Sequence, residues 1–318
     1  MHRWLLAMLL GLALGCALAA PPPAFVAVTA IVEHPSLDAV RHGLVAELAN
    51  AGYRAGENLR LDYESAQGSP ATAAQIARRL VGQEPDVIVP ISTPSAQAVV
   101  AATREIPVVF TAVTDPLAAR LVQDSAHPGG NVTGVSDLSP VARHLDLIRR
   151  VTPLARLIGV PHNPGEANSV AVLERLESLA PAKGFQVLPA AAPRSADVQA
   201  AARSLVGKVD VIYVPTDNTV ASALEGVLQV AESSRIPVYA ADTDSVARGA
   251  AAALGFNYYD VGRQTARMVL RVLAGESPAV IPVQGVQITE LHVNPAAALR
   301  MGFEIPAEVL AEATVVVR

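Results

Sequence analysis

From about residue 24 onward, short β-branched runs alternate with stretches in which apolar residues recur every three or four positions. Period-two strands alternating with period-3.6 helices predict a parallel sheet carrying helices on both faces. Phe25 to Val32 reads as a strand. Ser36 is placed to cap a helix that presents Leu37, Val40, Leu44 and Leu48 on one face and stops at Gly52. Leu59 to Tyr63 is the next strand, Ser69-Pro70 opens a helix carrying Ile76, Leu80 and Val81, and Asp86 to Pro90 is a third strand. Each unit has about thirty residues, the size of a βαβ module.

The pattern repeats itself. Asp86-Val87-Ile88-Val89-Pro90, a Ser92-Thr93 turn, a helix and the run Ile106 to Asp115 are echoed by Asp210-Val211-Ile212-Tyr213-Val214-Pro215, a Thr216-Asp217-Asn218 turn, a helix and the run Ile236 to Asp244. One unit used twice predicts two lobes of one design. The first lobe ends after Pro128-Gly129-Gly130 and a short strand from Asn131 to Ser136. Ser139-Pro140 then opens a helix, and strands at Leu157 to Val160, Gln186 to Leu188 and Val211 to Val214 build the second lobe. No Gly/Ser-rich linker interrupts the chain, so several strands are expected to join the lobes in place of one flexible hinge.

With 51% hydrophobic and 17% charged residues among 318, the chain has material for two buried cores and is not disordered as a whole. The formal charge of -5, with Lys183 and Lys208 the only lysines and no basic run, excludes nucleic acid and anionic membrane as evident partners. The first twenty residues differ in kind. His2 and Arg3 precede an apolar run from Trp4 to Leu14, and Ala17-Leu18-Ala19 supplies a small-x-small cleavage pattern, so residues 1–19 read as a secretory signal peptide and the protein as periplasmic. The single cysteine, Cys16, falls inside that segment; cleavage after Ala19 leaves no thiol for disulfides, catalysis or metal. Leu14-Gly15-Cys16 also resembles part of a lipobox, although Ala13 and Leu14 fit that pattern poorly.

There is no phosphate loop, dinucleotide fingerprint, HExxH helix or nucleophile elbow, and the histidines are scattered singly. No catalytic residue, metal site or cofactor is therefore expected. Polar residues gather instead in turns beyond strand ends, where parallel sheets bind ligands: Glu33-His34, Ser92-Thr93-Pro94-Ser95, Thr111-Ala112 through Asp115, Thr216-Asp217-Asn218, and Asp242-Thr243-Asp244. The second of these opens a helix with Pro94 in its first turn, so free backbone N–H groups and a positive helix end would suit a carboxylate. Asp115, Asp217, Asp242 and Asp244 would suit an ammonium, Asp217 best among them because its turn mirrors Ser92-Thr93. Plain helix capping accounts for the same residues. Together the two charges would select a zwitterion, and Phe110, Tyr213, Tyr239, Phe256, Tyr258 and Tyr259 supply rings either for the core or for stacking. Arg263, Arg267 and Arg271 form an i, i+4 row that reads as a solvated helix face.

The segments "DVIVPISTPSAQAV", "IPVVFTAVTDPLAARLV" and "PGGNVTGVSDL" between Asp86 and Leu138, "VPTDN" from Val214 to Asn218, and "LGFNYYDVGRQTARMVLRVLAGESP" from Leu254 to Pro278 resemble the ABC-transporter substrate-binding proteins of the tryptophan/tyrosine-binding type. That resemblance implies an α/β, type I periplasmic-binding-protein fold: two Rossmann-like lobes with parallel sheets joined by crossover strands, 24–136 plus 256–284 and 137–255 plus 285–318. It implies a monomeric receptor, not an enzyme, that closes on a small molecule and delivers it to an ABC permease with its ATPase. The ligand would be an amino acid, an aromatic one in a characterised branch, held at Ser92, Thr93, Ser95, Thr111, Ala112, Asp217 and Asn218, with Glu33, His34, Asp115 and Asp242 as further candidates from strand-end position. Asn163 to Ser169, "NPGEANS", departs from the family's pattern. A sensor coupled to a receptor kinase would share the fold, and an exported enzyme would have to use the cleft carboxylates as acid and base.

Overall fold

The computed structural model describes residues 21–317; Cys16 and the segment 1–19 that reads as a signal peptide lie outside them. In chain order the strands and helices are β1 (Ala24–Ala30), α1 (Pro35–Asn50), β2 (Leu59–Ser65), α2 (Pro70–Val81), β3 (Val87–Ile91), α3 (Thr93–Ala102), β4 (Val108–Val113), β5 (Val132–Ser136) and α4 (Val141–Val151). They continue with β6 (Leu157–His162), α5 (Ala167–Leu179), β7 (Gln186–Ala191), α6 (Val198–Leu205), β8 (Val211–Val214), α7 (Asn218–Ser222), α8 (Leu224–Ser234), β9 (Val238–Ala240), α9 (Asp244–Arg248) and β10 (Ala252–Gly255). The chain ends with α10 (Tyr258–Leu273), β11 (Gln284–Gly285), β12 (Glu290–Val293), α11 (Pro295–Arg300), α12 (Ala307–Glu312) and β13 (Val315–Val316).

Two sheets result. The first runs β11-β5-β4-β3-β1-β2 and the second β13-β12-β10-β9-β8-β6-β7. Every pairing is parallel except β10 with β12. Each sheet has its own apolar core. One is built on Val28, Ile88, Val89, Phe110 and Leu44, the other on Ile158, Ile212, Tyr213, Val214 and Leu176. The central strands β3, β4 and β8 are buried on both faces, which is why they read as unbroken apolar runs and not as alternating ones.

The internal echo has a physical meaning. Asp86 accepts the Phe25 backbone N–H at 2.7 Å, and Asp210 accepts the Arg156 and Leu157 N–H groups at 2.7 and 2.9 Å. In each lobe one aspartate thus fixes the start of a neighbouring strand and sets its register. The repeated Asp is the clamp of a repeated unit.

The chain crosses between lobes after β5, returns after β10 and crosses again after β11. On its return α10 packs against α1, and glycines allow the close approach. A Cβ on Gly262 would fall onto the Val40 carbonyl oxygen, and one on Gly43 onto that of Tyr259. The arginine row on α10 is not merely solvated. Arg263 and Arg267 both donate to Glu47 of α1, at 3.0 and 2.8 Å, and Arg271 pairs with Glu276. Helix α1 also begins two residues earlier than expected: His34 occupies the N-cap, and Ser36 does not cap.

Gly262→Ala is expected to lower stability by about 2 kcal/mol or more, because backbone must move to admit the methyl. Gly130→Ala, where an added Cβ meets nothing within 4 Å, should change it by less than about 1 kcal/mol. Urea unfolding of the two variants measures the difference.

Candidate functional site

Parallel strands release their polar turns at one edge, and here the carboxyl edges of the two sheets meet around a small cleft. From the first sheet side come His34, Ser36 and Leu37 after β1, Ala112 and Thr114 at the end of β4, Asp137 just beyond β5, and Tyr258 at the start of α10. From the second come Asn168, the turn Pro215 to Asn218 after β8, Ala221, and Asp242 after β9. The lobes touch directly. The Ser36 hydroxyl donates to Asp242 Oδ1 at 3.1 Å, and the Thr114 and Thr216 hydroxyls are 3.3 Å apart. The cleft is therefore closed. A second hollow beside it is bounded by Pro94 of α3 on one side and by Glu166 and Asn218 on the other.

Ser92, Thr93 and Ser95 lie at the start of the ten-residue helix α3, all buried, and none of their hydroxyl oxygens has a hydrogen-bond partner. Ser92 does not cap the helix with its side chain. Its backbone is in the left-handed region at φ +78°, held by its N–H on the Thr111 carbonyl at 2.9 Å, and on the adjacent strand Ala112 has φ +50°. For residues with a Cβ such conformations cost of order 1 kcal/mol or more each, and they gather at ligand sites. At Ala112 the β4–β5 ladder shifts register between Phe110 and Val113, which turns the strand end toward the cleft.

The charged candidates separate. Asp217 is 1% exposed and caps α7; its Oδ1 accepts the Val220 N–H and its Oδ2 accepts the Asn163 N–H and the Ser169 hydroxyl. Both oxygens are engaged within its own lobe. Asp242 accepts from Ser36 across the cleft and from the Ser245 N–H and hydroxyl. Asp115 lies outside the cleft lining and accepts the Leu117 and Ala118 N–H groups. Glu33 is exposed beside Tyr63 and Gln67. Thr111 is turned into the first lobe, where Thr265 donates to its hydroxyl at 2.7 Å. His34 lines the cleft half-buried. Burial lowers its pKa despite the pull of the Asp242 carboxylate, so the imidazole is neutral at neutral pH. Asn218 donates from its backbone and side chain to Glu166 Oε2, at 3.1 and 2.5 Å. Of the aromatic residues only Tyr258 reaches the cleft wall, while Phe110, Tyr213 and Tyr239 are core.

Three groups at or beside the cleft were not evident from sequence. Glu166, in the departing "NPGEANS" loop, is buried and takes six donors from Asn163, Asn168, Asn218 and Thr219. Its only signal was an acid in a Pro-Gly turn four residues past a strand end. Ser36 was assigned to a cap, and its bond to Asp242 spans 206 residues. Asp137, 3% exposed, accepts the Tyr258 hydroxyl at 2.8 Å on Oδ2. It follows β5 as the other acids follow their strands. Among the described residues no group of three or more His, Cys, Asp or Glu side chains could hold a metal.

A two-lobed α/β protein with polar turns of both sheets enclosing a small cleft belongs to the class of ligand-binding proteins that close on a solute. The match to a family model described as ABC transporter substrate binding protein, over residues 25–317, makes the chain a member of that family. The tyrosine-binding protein of Clostridioides difficile is 40% identical over 269 residues, 85% of this chain and 78% of that one. An ABC domain from Streptococcus pneumonia, solved in complex with L-Trp, is 35% identical with a TM-score of 0.90, covering 93% of this chain and 100% of that one. A substrate-binding protein with adhesive properties from Clostridium difficile, solved in its ligand-free open form, is 40% identical with a TM-score of 0.70 over 93% of this chain and 99% of that one. The fold is the type I periplasmic-binding-protein fold expected from the resemblance. Members bind a small molecule outside the cytoplasm and serve an ABC transporter. Among the described residues no helix is long and apolar enough to cross a membrane.

Burial and the neighbouring Glu166 carboxylate raise the Asp217 pKa from its ordinary 3.8 to about 7. The native state therefore holds a proton that the unfolded chain has already lost, and stability should fall as pH rises from about 4 to about 7. Asp217→Asn or Glu166→Gln should flatten that part of the profile. Urea unfolding between pH 4 and 8 measures the slope.

Proposed function

We propose that the chain is the periplasmic, monomeric receptor of an ABC uptake system, that its ligand is an α-amino acid with an aromatic side chain, and that it releases this ligand chemically unchanged. The lobes 24–136 with 256–284 and 137–255 with 285–318 are the bodies that swing, and ligand stabilises the closed arrangement by population shift.

The observation that carries the ligand class is the start of α3. Three buried, unpartnered hydroxyls cost free energy when empty; they lie behind the cleft wall next to Pro94, which borders the second hollow, and an α-carboxylate admitted there would satisfy them while meeting the positive end of the helix dipole. The cleft is small in its closed form. Leu37, Pro215 and Ala221 give it apolar wall for a ring. The relatives support the same ligand, since one is named for tyrosine and one was solved with L-Trp. They also support the closed state: the open relative superposes less well than the L-Trp complex despite its higher identity.

Isothermal titration calorimetry against L-tyrosine, L-tryptophan, L-phenylalanine, glycine and glucose tests the assignment. Binding of one or more of the three aromatic amino acids, with glycine and glucose far weaker, is the expected outcome; binding of glucose alone, or of none of the five, would overturn it. Ser92→Ala and Thr93→Ala should each weaken binding about 10- to 100-fold, the effect of removing one hydrogen bond to a charged group.

A further inference from the structure

We propose that Asp137 is the residue that recognises the ligand's ammonium group, and that Tyr258 is a positioning residue that aims its carboxylate. The inference rests on the amino-acid reading of the cleft and assigns the opposite charge of the ligand to a group not singled out by strand-end pattern.

The argument is one of elimination followed by fit. An anionic oxygen that is buried and unpaired invites a cation, because a buried charge without a partner is costly. Among the carboxylates of the cleft, Asp217 and Glu166 have both oxygens filled by donors of the second lobe. Asp242 is filled by Ser36 and Ser245. Asp244 also has a buried oxygen without a partner but does not line the cleft, so Asp137 is the carboxylate that lines it with a free oxygen. Its Oδ2 takes the Tyr258 hydroxyl, while its Oδ1 is buried without a partner. The nearby Thr114 hydroxyl also lies 3.3 Å from that of Thr216 across the cleft.

The position fits the second charge of a zwitterion. Asp137 follows β5 and Ser92 follows β3, with β4 between them and Ala112 of β4 lining the cleft. Two strand spacings are roughly 10 Å. An α-amino acid making a hydrogen bond of about 3 Å at each end bridges that distance. Burial raises the pKa of Asp137 against the opposing pull of the Tyr258 and Thr114 hydroxyls, so a cation beside it is what would restore the ionised form. Tyr258 sits on the first turn of α10, anchored by the glycine-dependent packing on α1, and so holds the carboxylate in one rotamer.

Two ligand pairs test the assignment: L-tyrosine against 3-(4-hydroxyphenyl)propionate, and L-tryptophan against indole-3-propionate, each acid lacking only the ammonium. The wild type should prefer the amino acid by about 100-fold or more. In Asp137→Asn that preference should fall below about 5-fold through loss of amino-acid affinity, with the propionates bound as before. Tyr258→Phe keeps the charge and should retain a preference of about 10-fold. A folded Asp137→Asn protein with undiminished preference overturns the inference and leaves the amino-acid reading standing; a wild type that binds none of the four compounds overturns both. Should Asp137→Asn not fold, a crystal structure of the wild-type complex decides. An ammonium nitrogen within about 3.2 Å of Asp137 Oδ1 supports the assignment, and its placement elsewhere contradicts it.

Discussion

The parallel direction of the strands is the constraint from which the rest follows. Strands that run the same way deliver all their polar turns and helix starts to one edge, and two such sheets meeting edge to edge create a cleft rich in unsatisfied groups. The buried Val/Ile strands pin those turns in place; Ser92 and Ala112 keep their left-handed backbones because β3 and β4 are fixed on both sides. The site is thus assembled from loops yet has the rigidity of the sheets beneath it.

Closure adds a second layer. Ser36–Asp242 and Thr114–Thr216 are modest hydrogen bonds between groups that water would satisfy equally well in an open form. Their net worth is small, about 1 kcal/mol each, so they bias the lobes without locking them. A ligand that brings a carboxylate to the empty hydroxyls of α3 supplies the larger differential. The neutral His34 beside Asp242 keeps a permanent cation out of the closing surface.

Much of this was legible in the chain. The repeat from Asp86 to Asp115 and from Asp210 to Asp244 exposed the two lobes because register clamps and strand-end turns are local features. The crossings were not legible from pattern, since β11 is only two residues long and belongs to the first sheet by pairing with β5. Capping and ligand contact looked alike at Asp217 and at Ser92; the structure separates them by where the oxygens go. Asp217 is satisfied at home, whereas Ser92 is not. Glu166, Ser36 and Asp137 were missed for one reason. Their partners lie tens to hundreds of residues away, and no local spacing carries that information. Arg263 and Arg267 read as solvent-facing on the same ground, because their partner Glu47 is distant in sequence and adjacent in space.

The central claim is that a zwitterionic aromatic ligand holds the two lobes shut. Small-angle X-ray scattering of the protein, without ligand and at saturating L-tyrosine or L-tryptophan, tests it most directly. The account predicts a ligand-dependent decrease in the radius of gyration toward that of the closed structure; scattering curves that superpose at saturation would contradict it.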